Sequence, residues 1–364
     1  MRAALSVLAT LVAACGGRST SSPDAAPPDV AIGDAGPTPT LGVVWQPAGN
    51  NPVIGDGACP GWHCSAATDP AIARAADGSL VVWFTTVGIA SDGMGGYVAA
   101  LDIGRATGAD HDPIGLAISP DRAVLASPAA QPMWDRYSET WSVRYDSASA
   151  TWTAWFLGYS AQGFTGAALG QMQSLDADGT SWSLPGAPIY QPSPGAWDDM
   201  LVTGPTVVQG PDGLARLYYS GAGAAGTGVG LLTSSDGTTW TPAATNPVFP
   251  SGAPGAWDST VLEQTVRYAY GRYWMWYSAY AGALDDTTTI AIGLATSSDG
   301  INWQRDPHNP VLTPGPAGSW DDLRVLAPDV LVESDGSFLM AAYGQATGDP
   351  THDEPGRIGL WRSR

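Results

Sequence analysis

Four carboxylates stand at comparable places in this chain, Asp69, Glu139, Glu263 and Asp329, each beside the start of a β-rich stretch. Two carboxyl groups on either side of a bond can divide its cleavage. One protonates the leaving oxygen while the other activates water or attacks. The same residue type at a strand entrance also serves as a satisfied structural acceptor, or caps the turn leading into the strand. Both readings stand for Asp69 and Glu263. Trp141 lies near the same position and has two readings of its own, a platform for a flat ring or core packing between repeats.

Other constellations are weaker. Cys59 and Cys64 form an even pair in Cys-Pro-Gly-Trp-His-Cys, a spacing that favours a local disulfide in an oxidising compartment. A metal site through His63 is the alternative, but no second Cys/His pair completes a tetrahedral set, so no metal is expected there. The loop from Gly348 to Gly356 gathers oxygen ligands of the kind calcium takes, and Asp285-Asp286 is a second acidic pair. Neither has a recognised ligand spacing, so no cofactor is expected, with calcium the one candidate. The formal net charge of −19 excludes nucleic acid as a partner.

The N-terminus reads as an export signal. Arg2 precedes an apolar run, and Leu11-Val12-Ala13-Ala14-Cys15 resembles a bacterial lipobox, in which the cysteine takes the lipid. Residues 1–15 are therefore expected to be a signal peptide ending at Cys15. Residues 16–42, rich in Ser, Pro, Ala, Gly and Asp, are expected to be a disordered tether. Gly16 after the cysteine lacks the Asp that often retains lipoproteins at the inner membrane, so the expected place is the outer membrane of a bacterial envelope. The lipid is the only membrane contact expected, and the protein should be a monomer.

The elements that must position the carboxylates come from a repeat of about 60 residues running from 43 to 364. Its marker is Trp134-Asp135, Trp197-Asp198, Trp257-Asp258 and Trp320-Asp321, with Trp62-His63 an altered copy. Each copy carries a β-rich stretch, a tight turn, an aromatic strand, a third strand with an apolar-Gly pair, and an Asn-Pro-Val segment or its counterpart. Four short strands repeated five times predict an all-β, five-bladed β-propeller. The last copy stops at its third strand, and Trp45 to Ile54 matches Trp303 to Leu312, so the N-terminal strand should close the last blade. Long irregular loops then fall on one face, the expected binding face. Of sixteen Trp, twelve occupy repeat positions, which makes them scaffold rather than a sign of ligand.

These phrases, together with Asp69-Pro70 opening the first repeat, resemble the five-bladed glycosidase superfamily of arabinanases, levansucrases and invertases, and its family 43-like members. The similarity covers nearly all of residues 43–364. It implies a carbohydrate partner at the centre of the ring and glycoside hydrolysis there. It also implies that Asp69 is the base or nucleophile, because the family has an Asp opening blade one. The family's blade-two Asp corresponds, in ungapped alignment from the Trp, to Trp141, with Thr140 and Glu139 just before it. Its blade-three Glu, which precedes Gly-Pro, corresponds to Thr203. Glu263 in blade four matches the Thr203 position and is the available proton donor. Glu139, Thr203, Trp141 and Asp329 are the expected substrate contacts. A non-catalytic glycan-binding propeller and a protein-interaction scaffold are the other readings.

Overall fold

The computed structural model describes residues 38–55, 66–91, 97–108, 116–118, 125, 134–161, 163–183, 185–347 and 356–364. Cys15, Cys59, Cys64, Trp62, His63 and the acidic loop at 348–355 lie outside the described residues. So do the expected signal peptide and all of the expected tether before Thr38.

The chain is all β among the described residues and forms five small antiparallel sheets arranged as a ring. After β1 (Gln46–Pro47), blade 1 comprises β2 (Ala66–Arg74), β3 (Leu80–Ser91), β4 (Tyr97–Gly108) and β5 (Ala117–Ile118). Blade 2 comprises β6 (Tyr137–Asp146), β7 (Thr151–Tyr159) and β8 (Ala168–Gln173). Blade 3 comprises β9 (Leu201–Gln209), β10 (Ala215–Gly223) and β11 (Gly226–Ser234), flanked by β12 (Thr241–Pro242) and β13 (Phe249–Pro250). Blade 4 comprises β14 (Thr260–Ala269), β15 (Arg272–Tyr280), β16 (Ala291–Ser297) and β17 (Gln304–Arg305). Blade 5 comprises β18 (Arg324–Val332), β19 (Phe338–Gln345) and β20 (Arg357–Ser363). The inner strands β2, β6, β9, β14 and β18 pack in that order around the axis, and β18 meets β2. This is the five-bladed β-propeller expected from the repeat.

The ring closes as the sequence match requires. β1 pairs with β20 through Gln46↔Arg362 and Pro47↔Trp361, and Ile54 bridges Ile358. The Asn-Pro-Val segments do the same work in three blades. The side-chain amides of Asn51, Asn246 and Asn309 each bond both the N–H and the C=O of a third-strand residue, Leu360, Leu231 and Leu294. In blade 2 the fourth strand is reduced to isolated bridges, Leu169↔Tyr190 and Ser174↔Trp182. The fold also starts earlier than the expected boundary at Val43. Leu41 is buried in a core cluster, and the Gly42 carbonyl accepts from Trp45 and Trp276.

Two devices make the repeat. The Trp of each Trp-Asp pair lies over glycines of its own blade. A Cβ on Gly158 or Gly170 would meet Trp134, one on Gly221 would meet Trp197, and one on Gly344 or Gly359 would meet Trp320, all under 3.0 Å. The second device joins blades. Trp83 of blade 1 donates to the Gly179 carbonyl of blade 2, Tyr218 of blade 3 to Gly300 of blade 4, and Trp276 of blade 4 to Gly42 beside blade 5. Those glycines have φ of 66°, 74° and 74°, which an L side chain rarely adopts. Gly300 belongs to a Ser-Asp-Gly turn, Ser298-Asp299-Gly300, whose counterpart in blade 3 is Ser235-Asp236-Gly237.

Candidate functional site

Each inner strand carries a bulge near its start, where its register against the second strand shifts by a residue. The shifts fall between Thr68 and Ala71, Glu139 and Ser142, Thr203 and Thr206, Val261 and Gln264, and Leu326 and Asp329. Asp69, Thr140, Gly204 and Ala327 have φ of 46°, 51°, 55° and 49°. A bulge leaves backbone groups unpaired and turns its side chains out of the pleat, here toward the axis. Neighbouring blades satisfy the freed groups: Thr140 N–H donates to Thr85 Oγ1 at 3.2 Å, Gly204 N–H to Thr140 Oγ1 at 3.3 Å, and Ala327 N–H to Ser278 Oγ at 2.8 Å.

This register corrects the ungapped alignment. Ala71, Ser142 and Thr265 pair with the equivalent residues Trp83, Trp155 and Trp276. Blades 2 and 4 are therefore one residue shorter between Trp and bulge than blades 1, 3 and 5. The equivalent of Asp69 in blade 2 is Thr140, not Trp141, and Glu263 shares the position of Asp69 rather than that of Thr203. Glu139 is the residue equivalent to Thr68 and Thr203.

The shift brings three carboxyls together. Asp69, Glu139 and Glu263 line one pocket of about 120 Å³ at the end of the axis where the inner strands begin, with Thr68, Thr140 and Thr203 beside them. This is the face assigned to the long loops. Two apolar clusters wall the pocket on opposite sides. Leu101, Leu157 and Leu201 belong to one, with Val87 and Phe164 against it, and Leu262, Leu284, Ile290, Leu326 and Tyr343 form the other. Below lies a narrow channel of about 30 Å³ that touches Asp69 and Glu263.

The surroundings of the three carboxyls differ. Asp69 accepts from Thr68 Oγ1 at 2.8 Å and from the Thr85 hydroxyl. Burial lifts its pKa above the usual aspartate range, and these two donors oppose the lift. Glu139 accepts from the Tyr159 hydroxyl, whose ring stacks on Tyr137 at 5.1 Å, while its Oε1 is buried with no partner. Burial, the Asp69 charge and, more weakly, the Glu263 charge push Glu139 up to about 8, against the Tyr159 bond. Glu263 Oε2 is likewise buried and unpartnered, and burial with the Asp69 charge pushes the group up to about 7. Gly204 is the floor against which Glu263 rests: a Cβ there would stand 3.2 Å from Glu263 Cγ.

The other expected site residues fall elsewhere. Trp141 is buried in the core between blades 1 and 2, edge-on to Trp182 at 4.9 Å with its N–H on Ser138. It borders the lower channel and presents no face to the pocket of the three carboxyls. Asp329 sits lower on the axis with both oxygens engaged. Oδ2 accepts from Ile72 N–H at 2.8 Å, and Oδ1 from Thr265 and Arg267 at 2.8 and 2.6 Å, so it ties blade 5 to blades 1 and 4. Thr203 does line the pocket, with its hydroxyl 3.2 Å from that of Thr140. Asp285 is occupied in its own turn by Thr287 and Thr288. Sequence reasoning misses Tyr159 and Phe164: Tyr159 stands four residues after Trp155 as Tyr280 does after Trp276, so it reads as scaffold, and Phe164 lies in a loop. The only signal it offers is the place of Phe164 in a long loop of the binding face.

No protein-family model matches this chain. Among curated proteins, 46 residues are 44% identical to the A type blood N-acetyl-alpha-D-galactosamine deacetylase of Flavonifractor plautii. That stretch is 13% of this chain and 6% of that protein. Solved structures share the fold over most of the chain. An N-acetylgalactosamine deacetylase from F. plautii, in complex with blood group B trisaccharide, superposes with a TM-score of 0.62 at 19% identity, covering 85% of this chain and 94% of that one. A glycosyl hydrolase from Bacteroides ovatus gives 0.62 at 16%, covering 93% and 96%. A thermostable family-43 glycoside hydrolase gives 0.59 at 13%, covering 84% and 92%. At these identities the likeness is one of fold.

Proposed function

We propose that this propeller acts on a carbohydrate in the central pocket, as a glycoside hydrolase in which Asp69 and Glu263 divide the chemistry. The observation that carries the reading is the convergence of three carboxyls in one apolar-walled pocket with unequal hydrogen bonding. Environments that separate the pKa values of neighbouring carboxyls assign acid and base. Asp69, bonded by two hydroxyls, is the carboxylate that activates water or attacks the anomeric carbon. Glu263, whose pKa burial and the Asp69 charge push up to about 7, gives its proton to the leaving oxygen. Glu139 is the third carboxyl and a substrate contact.

The short match to a deacetylase favours a second reading, removal of an acetyl group from an acetamido sugar. Water activated by Asp69 would add to the amide carbon, and a protonated glutamate would supply the proton that leaves with the nitrogen.

The test is a glycan library, acetylated members included, offered to wild type and Asp69→Asn side by side. New reducing ends report the first reading, and free acetate the second. Equal turnover by the two proteins, on any glycan that responds, would sink both. The proposed setting is the bacterial cell envelope, with the lipid on Cys15 as anchor. Radiolabelled palmitate should enter wild type and not Cys15→Ala.

A further inference from the structure

The pocket contains three carboxyl groups and, among the described residues that line it, no Arg or His to balance them. The donors already found there are neutral hydroxyls, those of Thr68, Thr85 and Tyr159. Glu139 Oε1 and Glu263 Oε2 remain buried without a partner, between walls of apolar side chains. A carboxyl oxygen withdrawn from water without a donor costs free energy, and either a proton or a cation relieves that cost. Protons do so in the free protein. An ammonium group would do more, because it brings a full charge and three N–H donors to a site poor in both.

We propose that the sugar taken by this pocket carries a basic amino group, whose ammonium lies between Asp69 and Glu139 and donates to the unpartnered Glu139 Oε1. The inference rests on the carbohydrate reading above and narrows it to amino sugars. Glu139 is assigned because Tyr159 already fixes the carboxyl from one side and leaves the other oxygen bare. Asp69 is assigned because it lines the same pocket from the neighbouring inner strand. Glu263 then stays free to carry its proton. The apolar walls keep water from competing for the ion and lie against the C–H face of the sugar ring. A hydroxyl in the same place brings one donor and no charge, and an acetamido group one N–H and no charge.

Calorimetry on the full chain at pH 6.5, where the sugar amine is already charged, tests this with the methyl glycosides of glucosamine and galactosamine, their N-acetyl forms, and the matching neutral hexosides. The amino forms should bind at least about tenfold more tightly than the neutral ones, the scale of a hydrogen bond to a charged group. Binding should release protons, read from its dependence on buffer ionisation enthalpy, because Glu139 gives up its proton to face the ammonium. Affinity should weaken toward pH 5, where protons hold the carboxyls. Glu139→Gln should lose both the preference and the proton release, and Asp69→Asn serves if that variant does not fold. Equal affinity for amino and neutral sugars overturns the inference and leaves the carbohydrate reading standing. Preference for the N-acetyl forms also overturns it and moves the weight to deacetylation. Absence of binding by every sugar overturns both.

Discussion

The carboxylates of the Ser-Asp-Gly turns and those on the axis are the same chemical group in opposite circumstances. Asp236 accepts from the backbone N–H of Thr238 and Thr239 and from the hydroxyls of Ser234 and Thr239. Asp299 does the same with Ile301, Asn302 and Ser297. Both are held below the usual aspartate range, Asp236 by these donors and Asp299 by them against a desolvation that raises it. On the axis Asp69, Glu139 and Glu263 have few donors, and burial lifts all three. The propeller satisfies its acids where it needs turns, and leaves these three wanting where the inner strands begin. A recurring Asp in a repeat therefore reads as scaffold, and a carboxyl that breaks the repeat reads as a candidate for chemistry.

The Trp-Asp carboxylates lie between these extremes. Their recurrence predicts bonds to backbone N–H groups, yet Asp198 accepts from the hydroxyls of Tyr190 and Tyr219, and Asp258 from Arg305.

The sharpest way to break the comparison is to neutralise one acid of each kind. Glu263→Gln should lower kcat on a responsive glycan by about two to four orders of magnitude, the usual weight of a general acid. Asp236→Asn should lower the melting temperature and leave kcat unchanged. Loss of activity from the turn variant would show that the two classes are not separate.

Next in size is an effect on stability. Glu139 has a folded pKa near 8, above its unfolded value of 4.5. Its protonated form therefore stabilises the fold fully below about pH 4.5, and that contribution is lost as pH rises through 8. Glu139→Gln, which cannot ionise, should gain stability over wild type at pH 8, on the order of 2 kcal/mol after allowance for the pocket's opening. The gain should vanish at pH 4. Denaturant midpoints at the two pH values measure it, and a gain independent of pH would refute burial as the cause.

The pH profile of kcat/KM sharpens the assignment of the acid. An alkaline limb that survives in Glu139→Gln belongs to Glu263, one that disappears with it belongs to Glu139, and the acid limb belongs to Asp69. Gly204→Ala should cost about 1 kcal/mol of stability, because residue 204 has φ of 55°, and should raise KM by pressing on Glu263. The smallest change is expected from Tyr159→Phe. The lost hydrogen bond should raise the Glu139 pKa further, seen as an upward shift of its carboxyl titration by NMR.

Much of the fold is legible because the repeat writes it several times. Trp45 to Ile54 can be placed on blade 5 from its match to Trp303–Leu312 alone, since pairing with β20 satisfies an edge that would otherwise be open. Asp69 can be placed by its Pro70 and its position at the first blade. Trp141 and Glu263 are harder, because counting from Trp-Asp cannot reveal a one-residue shortening that only the bulges absorb. The count puts Trp141 where Thr140 stands, and it puts Glu263 one position from its true equivalents.

By itself, then, the amino-acid sequence determined five blades, their closure and the scaffold role of most Trp and Asp residues, because local hydrogen bonding and strand period recur in each copy. It also named the acids Asp69, Glu139 and Glu263. Only the tertiary structure decided that these three share a pocket while Asp329 is spent on an ion pair with Arg267. The physical reason is that a side chain's direction at a bulge depends on register with the neighbouring strand, and its pKa depends on which apolar groups arrive from other blades. Neither is written within the segment that carries the residue.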